Sequence, residues 1–169
     1  MMRKIITILL AGCGFAIAAC SSNVEEPTPA PQPTAAAVGQ GNGIVTRPSK
    51  SSVAETTARL EQAATAKGLK IVNKVDHAAN AASAGLDLGP AMVLFVGNPQ
   101  AGTPLMQSSM SFALDLPQRI AVYEITPGQV RVSYNDPAWL AARHGVTDQA
   151  DNINKTSEAL GNIVAAATR

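Results

Sequence analysis

The side chains able to do chemistry are few and scattered. His77 ends an alternating stretch at Asp76 and precedes a run of small residues, Ala78 to Ala84. That placement suits a general base or metal ligand whose tautomer a carboxylate such as Asp76 would hold, and equally a loop histidine bonded to backbone. Asn98 and Thr103 lie in the turn-rich connector Asn98-Pro99-Gln100-Ala101-Gly102-Thr103-Pro104. Their amide and hydroxyl can face a ligand at a strand end, or Asn98 can satisfy its own turn while Thr103 caps a short helix from Pro104. Met106 and Met110 are four apart; if residues 104–110 are helical their thioethers share a face, and with His77 they form a weak Cu(I) candidate. Such methionines also fill gaps in cores. Among the acids, Asp115 before Leu116-Pro117 reads as a turn residue, Asp136 as a helix cap and Glu124 as a mid-strand carboxylate. His144 precedes Gly145 at a helix end, where exposed carbonyls favour a cation. No spacing forces two carboxylates together, and Ser108, Ser109 and Ser111 have no base at a readable spacing, so no catalytic constellation is visible. There is no nucleophile elbow, phosphate-binding loop or His-Glu-x-x-His zinc motif. No cofactor is called for.

These residues belong to a chain of 169, with 13 Lys plus Arg against 12 Asp plus Glu. A net charge of +1 gives no electrostatic footprint for nucleic acid, and 3 Phe, 2 Tyr and 1 Trp are too few for base-stacking platforms. Both cysteines, Cys13 and Cys20, lie near the start, so the remaining chain holds neither a disulfide nor a thiolate zinc site.

The beginning reads as an address. Met1-Met2-Arg3-Lys4 is a positive segment ahead of an apolar run from Ile5 to Ala19, about 22 Å long as a helix and short of a bilayer's roughly 30 Å hydrocarbon core. It therefore reads as a secretory signal over residues 1–19. Its end, Ile17-Ala18-Ala19-Cys20, resembles the bacterial lipoprotein signal, with Cys20 the lipid acceptor. Leu10-Ala11-Gly12-Cys13 matches the same pattern, but processing there leaves an h-region of about six residues and an apolar stub. Cys20, followed by Ser21-Ser22-Asn23, gives a soluble start, and Ser21 favours outer-membrane sorting by resemblance to enteric lipoproteins. The processed chain has a net charge of −1, so attachment would come from the lipid and not from a basic patch. Residues 20–42, with Pro27, Pro29, Pro31, Pro33, an alanine run and Gly39 and Gly41, form the tether.

Hydrophobic periodicity starts at Gly43, and 43–169 is long enough for one core. Ile44 to Thr46 is a short strand ended by Pro48. Ser52-Val53-Ala54-Glu55 is a capping box opening a helix that Gly68 closes. Leu69 to Asp76 alternates, with Leu69, Ile71 and Val75 inward and Lys70 and Lys74 outward. Met92 to Val96 is a central strand. Arg119–Ile125 and Gln129–Tyr134 are joined by Thr126-Pro127-Gly128-Gln129, which suits a type II turn. Asp136-Pro137 starts a helix that stops at Gly145, and a last helix begins near Thr147 with Ile153, Ser157, Leu160, Val164 and Ala167 on one face. The class is α+β with a mostly antiparallel sheet.

Four stretches carry a resemblance: His77-Ala78-Ala79; Phe95-Val96-Gly97-Asn98-Pro99 leading to Gly102-Thr103-Pro104-Leu105-Met106; Leu114-Asp115-Leu116-Pro117; and Tyr134-Asn135-Asp136-Pro137. Together they resemble the bacterial family called domain of unknown function 302, over about residues 44–145. The resemblance implies a TATA-binding-protein-like sheet of about five strands in β-α-β(4)-α order, with helices on one side. It also implies homodimers in some cases, and no agreed activity. The helix after Gly145 lies outside the matched pattern. The expectation is an uncharacterised lipoprotein of the cell envelope, anchored by Cys20, facing the periplasm and acting as a binding or interaction module for a small ligand or an envelope protein. The alternative is a periplasmic enzyme, or a small-molecule or copper-binding protein, using His77 and the Asn98–Thr103 region.

Overall fold

In a computed structural model, the structure describes residues 37–169. The signal segment, Cys20 and most of the tether lie outside the described residues. Six strands form one antiparallel sheet in the order β1-β2-β6-β5-β4-β3. The strands are β1 (Ala37–Gln40), β2 (Ile44–Ser49), β3 (Lys70–Asp76), β4 (Ala91–Gly97), β5 (Gln118–Glu124) and β6 (Val130–Asn135). Helices α1 (Val53–Ala66) and α5 (Ala150–Ala167) cover the face bearing Leu94, Val96, Ile120, Val122, Val132 and Tyr134. Shorter helices α2 (His77–Ser83), α3 (Pro99–Ser108) and α4 (Pro137–Arg143), with a 3₁₀ helix over Met110–Asp115, complete the chain. The α+β class and the antiparallel sheet with flanking helices agree with the pattern of residues.

Local chemistry explains most element boundaries. The Ser52 side chain accepts from Glu55 N–H while Glu55 Oε2 accepts from Ser52 N–H, the reciprocal bonds of a capping box. Those bonds to Ser52 hold the Glu55 carboxyl below the usual carboxylate range. Gly128 takes φ +82° and Gln129 N–H donates to Thr126 O, as the Pro-Gly turn requires. Asp136 Oδ1 accepts from Ala138 N–H at the start of α4, with Pro137 in the first turn.

Three expectations are corrected. Residues Ala37–Gln40, placed in the tether by composition, pair with β2, because Gly41-Asn42-Gly43 makes a tight turn and Asn42 Oδ1 accepts from Ile44 N–H. Gly43 needs its φ of +73°, and a Cβ there would lie 2.2 Å from the Trp139 indole. β2 continues through Pro48 to Ser49, since among the described residues β1 pairs only as far as Thr46 and nothing on that side needs the missing N–H. In β3 the ladder slips between Ile71 and Asn73. Ile71 pairs with Val96 on the covered face, whereas Val75 pairs with Val93 on the other. Lys74, read as outward, stands opposite Leu94 and bonds Glu61 of α1 at 2.7 Å. One extra residue exchanges the faces of everything after it.

Among the described residues, two apolar clusters result. The larger joins the sheet to α1 and α5 through Leu60, Ala64, Leu160, Ile163 and Val164. The smaller packs Leu105, Phe112, Leu140, Ala141, Val146 and Ile153 beyond the sheet's end. α5 contributes to both. Burial in the larger cluster pushes the Tyr134 phenol up, the Asp136 charge adds to this, and Arg47 offsets part of it.

Candidate functional site

Beside the smaller cluster, α3, the start of α5 and the adjoining ends of β4 and β5 enclose a cleft of about 800 Å³. Its size is that of a small-molecule site. Leu69, Val96, Leu105, Leu116 and Leu160 supply apolar walls; Asn98, Gln118, Asn152 and Thr156 are polar; Lys67, Lys155, Asp148 and Asp151 add both signs of charge. Two braces fix the walls. Asn152 Nδ2 donates to Ala101 O at 2.8 Å, and the Ser108 hydroxyl donates to the Asp148 carboxylate. The Ser108 bond holds the Asp148 carboxyl below its usual range. In α3, Pro104 has no N–H to give the Gln100 carbonyl four residues earlier, and both residues line the cleft.

Gln118 is the anomaly of the cleft. The residue is 6% exposed, and neither its Nε2 nor its Oε1 has a hydrogen-bond partner among the described residues. A buried amide left unmade costs roughly 1–3 kcal/mol per group, so native structures rarely leave one without a reason.

The expected site residues divide. Asn98 lines the cleft, and its Oδ1 caps α3 by accepting from Gln100 N–H at 2.9 Å. Thr103 is exposed within α3 and does not line the cleft. The helix starts at Pro99, not Pro104, so the expected Thr103 cap is replaced by the Asn98 cap. His77 is exposed as the first residue of α2, and Asp76 spends its carboxylate on capping Ala79 N–H, not on orienting the imidazole. Met106 packs against the smaller cluster, whereas Met110 is 75% exposed on the 3₁₀ helix. The extended backbone of Ser109 separates them, so they do not share a helix face. Among the described residues, no group of three or more His, Cys, Asp or Glu is placed to hold a metal. Glu124 accepts from Gly128 N–H in the hairpin turn.

A second constellation escaped the sequence reading. Asp115, read as a turn residue, is 3% exposed and accepts from Arg119 Nη2 at 2.8 Å, Arg143 Nη1 at 3.0 Å and His144 Nε2 at 2.7 Å. His144 does not project from its helix end into solvent. Its other nitrogen, Nδ1, lies 2.9 Å from Ser111 Oγ, and its ring packs against Phe112 with centroids 5.1 Å apart. Thus one of the serines that lacked a base in sequence has one in space, 33 residues away. The weak signals were His144 and Asp115 themselves, each explained by a local role.

Comparison with known proteins bears on the fold and the family. The chain is 44% identical over 110 residues to a protein of Brucella suis named "Fluoride-specific ion channel FluC 1", covering 65% of this chain and 43% of that protein. A Brucella abortus protein of the same name is also 44% identical over 110 residues, with 41% of its length covered. The chain thus spans less than half the length of these curated relatives. Among the described residues, no helix is long and apolar enough to cross a membrane. A solved structure, that of an uncharacterized conserved DUF302 protein from Bacillus stearothermophilus, superposes with a TM-score of 0.67 at 21% identity. It covers 76% of this chain and 99% of that one, which shows a shared fold. The family described as "Domain of unknown function DUF302" matches residues 45–167, so α5, left outside the motif resemblance, lies within the family's extent. With that match over most of the chain, the protein belongs to the DUF302 family.

Proposed function

We propose that this chain is a lipid-anchored protein of the bacterial cell envelope whose DUF302 domain binds a small polar ligand in the cleft over Gln118. The observation that supports binding in the cleft is the buried Gln118 carboxamide, which has no hydrogen-bond partner among the described residues and lines a cleft of about 800 Å³. Its terminal torsion is soft, so a modest rotation presents both a donor and an acceptor to the cleft. A ligand with a donor and an acceptor side by side would recover the hydrogen bonds that the free protein leaves unmade. The channel activity in the Brucella names is not transferred, because the match covers less than half of those proteins. Self-association, expected from the family resemblance, stays part of the proposal and is read by sedimentation.

A thermal-shift screen of the full chain against periplasmic metabolites tests the reading. A ligand at about 100 times its Kd adds roughly 2.7 kcal/mol, or on the order of 10 °C in midpoint. Gln118→Leu keeps the side-chain size and removes both unmade groups. The free variant should melt on the order of 5 °C higher than the wild type, and the ligand shift should disappear. A variant that melts lower would show that the amide is bonded within the free protein, and the cleft reading would fail. For the anchor, Cys20→Ala should move the protein from the membrane to the soluble fraction of cells. Unchanged partitioning would reject lipidation at that residue.

A further inference from the structure

We propose that Ser111 is a base-activated nucleophile, with His144 as its general base and Asp115 as the positioning residue, acting on carboxylic esters with a short apolar acyl group. The reading does not depend on the cleft. The directions of the bonds decide it. Asp115 receives N–H donors from Arg119 and Arg143, so its carboxylate acts as the acceptor of the His144 Nε2 proton. In the neutral imidazole, Nδ1 is then the lone-pair nitrogen, and it takes the Ser111 hydroxyl proton across 2.9 Å. Ser109 Oγ lies 3.1 Å from Ser111 Oγ, so its hydroxyl is free to donate to Ser111 while Ser111 donates to His144. This is the logic of an activated serine, a nucleophile within reach of a base that a third group orients.

Access matches the chemistry. His144 and Asp115 are buried at 6% and 3% side-chain exposure, whereas Ser111 is exposed. In a 3₁₀ helix, residues three apart eclipse, so Leu114, 70% exposed, stands in line with Ser111. With Met110 beside it in sequence and also exposed, this surface offers an apolar rest for an acyl chain next to the hydroxyl. In the reaction, Ser111 Oγ bonds to the ester carbonyl carbon while its proton passes to His144 Nδ1. The carbon–oxygen bond to the alcohol then breaks, and His144 returns the proton to the departing oxygen. Water repeats the sequence on the acyl-serine. Its proton goes to His144, its oxygen stays on the acid, and Ser111 recovers its proton.

The test uses a fluorophosphonate, in which Ser111 Oγ displaces fluoride from phosphorus. The full chain should form one adduct per molecule, mapped by mass spectrometry to Ser111. Ser111→Ala, at an exposed position, should fold normally and lose the adduct. His144→Gln should react roughly 100-fold slower or worse, with its circular dichroism unchanged. Because His144 packs against Phe112, a second measurement stands apart from that variant. Wild type should release a burst of nitrophenol from p-nitrophenyl butyrate that Ser111→Ala lacks, and Leu114→Ser should erase the preference for butyrate over acetate. An adduct on Ser108 or Ser109 instead, or a wild type indistinguishable from Ser111→Ala in both adduct and burst, overturns the proposal.

Discussion

Asp115→Ala should lower the stability of the domain by about 3 kcal/mol, measured as a shift of the urea midpoint at constant slope. Three donors converge on this carboxylate, and they differ in what they lose. Arg119 and Arg143 side chains are each 44% exposed, so both guanidiniums return to water when the partner goes. Removing either arginine alone should therefore cost less than about 1 kcal/mol, an effect that salt screens. His144 has no such escape. Its ring is enclosed against Phe112, and its Nε2–H would be left without an acceptor, the costly side of the asymmetry between making a hydrogen bond and orphaning one. The ring would also lose the partner that fixes its tautomer. A loss below about 1 kcal/mol for Asp115→Ala would mean that the carboxylate is not the buried hub of this cluster.

The same cluster shows where a sequence stops being legible. Signals confined to four consecutive residues read correctly: Ser52 to Glu55 as a capping box, Thr126 to Gln129 as a hairpin turn, Asp136-Pro137 as a helix start. Each of these is a backbone problem solved by a neighbour, so spacing alone identifies it. Asn98-Pro99 carries the same signature as Asp136-Pro137, yet Gly102 and Pro104 inside α3 disguise that helix as a loop. β3 fails differently. Its alternation is real but is broken by a ladder slip that depends on β4, and nothing in residues 69–76 encodes the partner. The site lies beyond both kinds of signal. Ser111, Asp115 and His144 meet only because the 3₁₀ helix and the end of α4 pack together, and the lack of partners at Gln118 is a property of its surroundings. His77 and Thr103 stood out as polar residues in motif positions, but both face solvent, where a motif can also serve a helix start.

Phe112→Ala should be the most damaging single truncation, costing about 3–5 kcal/mol. Phe112 is fully buried and is the largest side chain of the smaller cluster. It shares one packed cluster with Leu105, Leu140 and Val146, and its ring also lies against His144, so removing it leaves a cavity as well as lost transfer free energy. For a domain of this size the midpoint should fall by roughly 10–20 °C. How that fall occurs is the more informative result. α5 contributes Ile153 to the smaller cluster and Leu160, Ile163 and Val164 to the larger, so one rigid helix links the two. A strain in one is then felt by the other, and the variant should still unfold in a single transition, with calorimetric and van't Hoff enthalpies equal. Amide hydrogen exchange should speed up in α3, the 3₁₀ helix and α4 before it does in β4, β5 and β6, because those elements pack on the truncated cluster while the strands do not. Two separated transitions would instead mean that α5 couples the clusters weakly. The Ser111 cluster, which flanks the smaller cluster, would then sit on a part of the fold able to open without the sheet, and the α3 wall of the cleft would move away from its β4 and β5 walls.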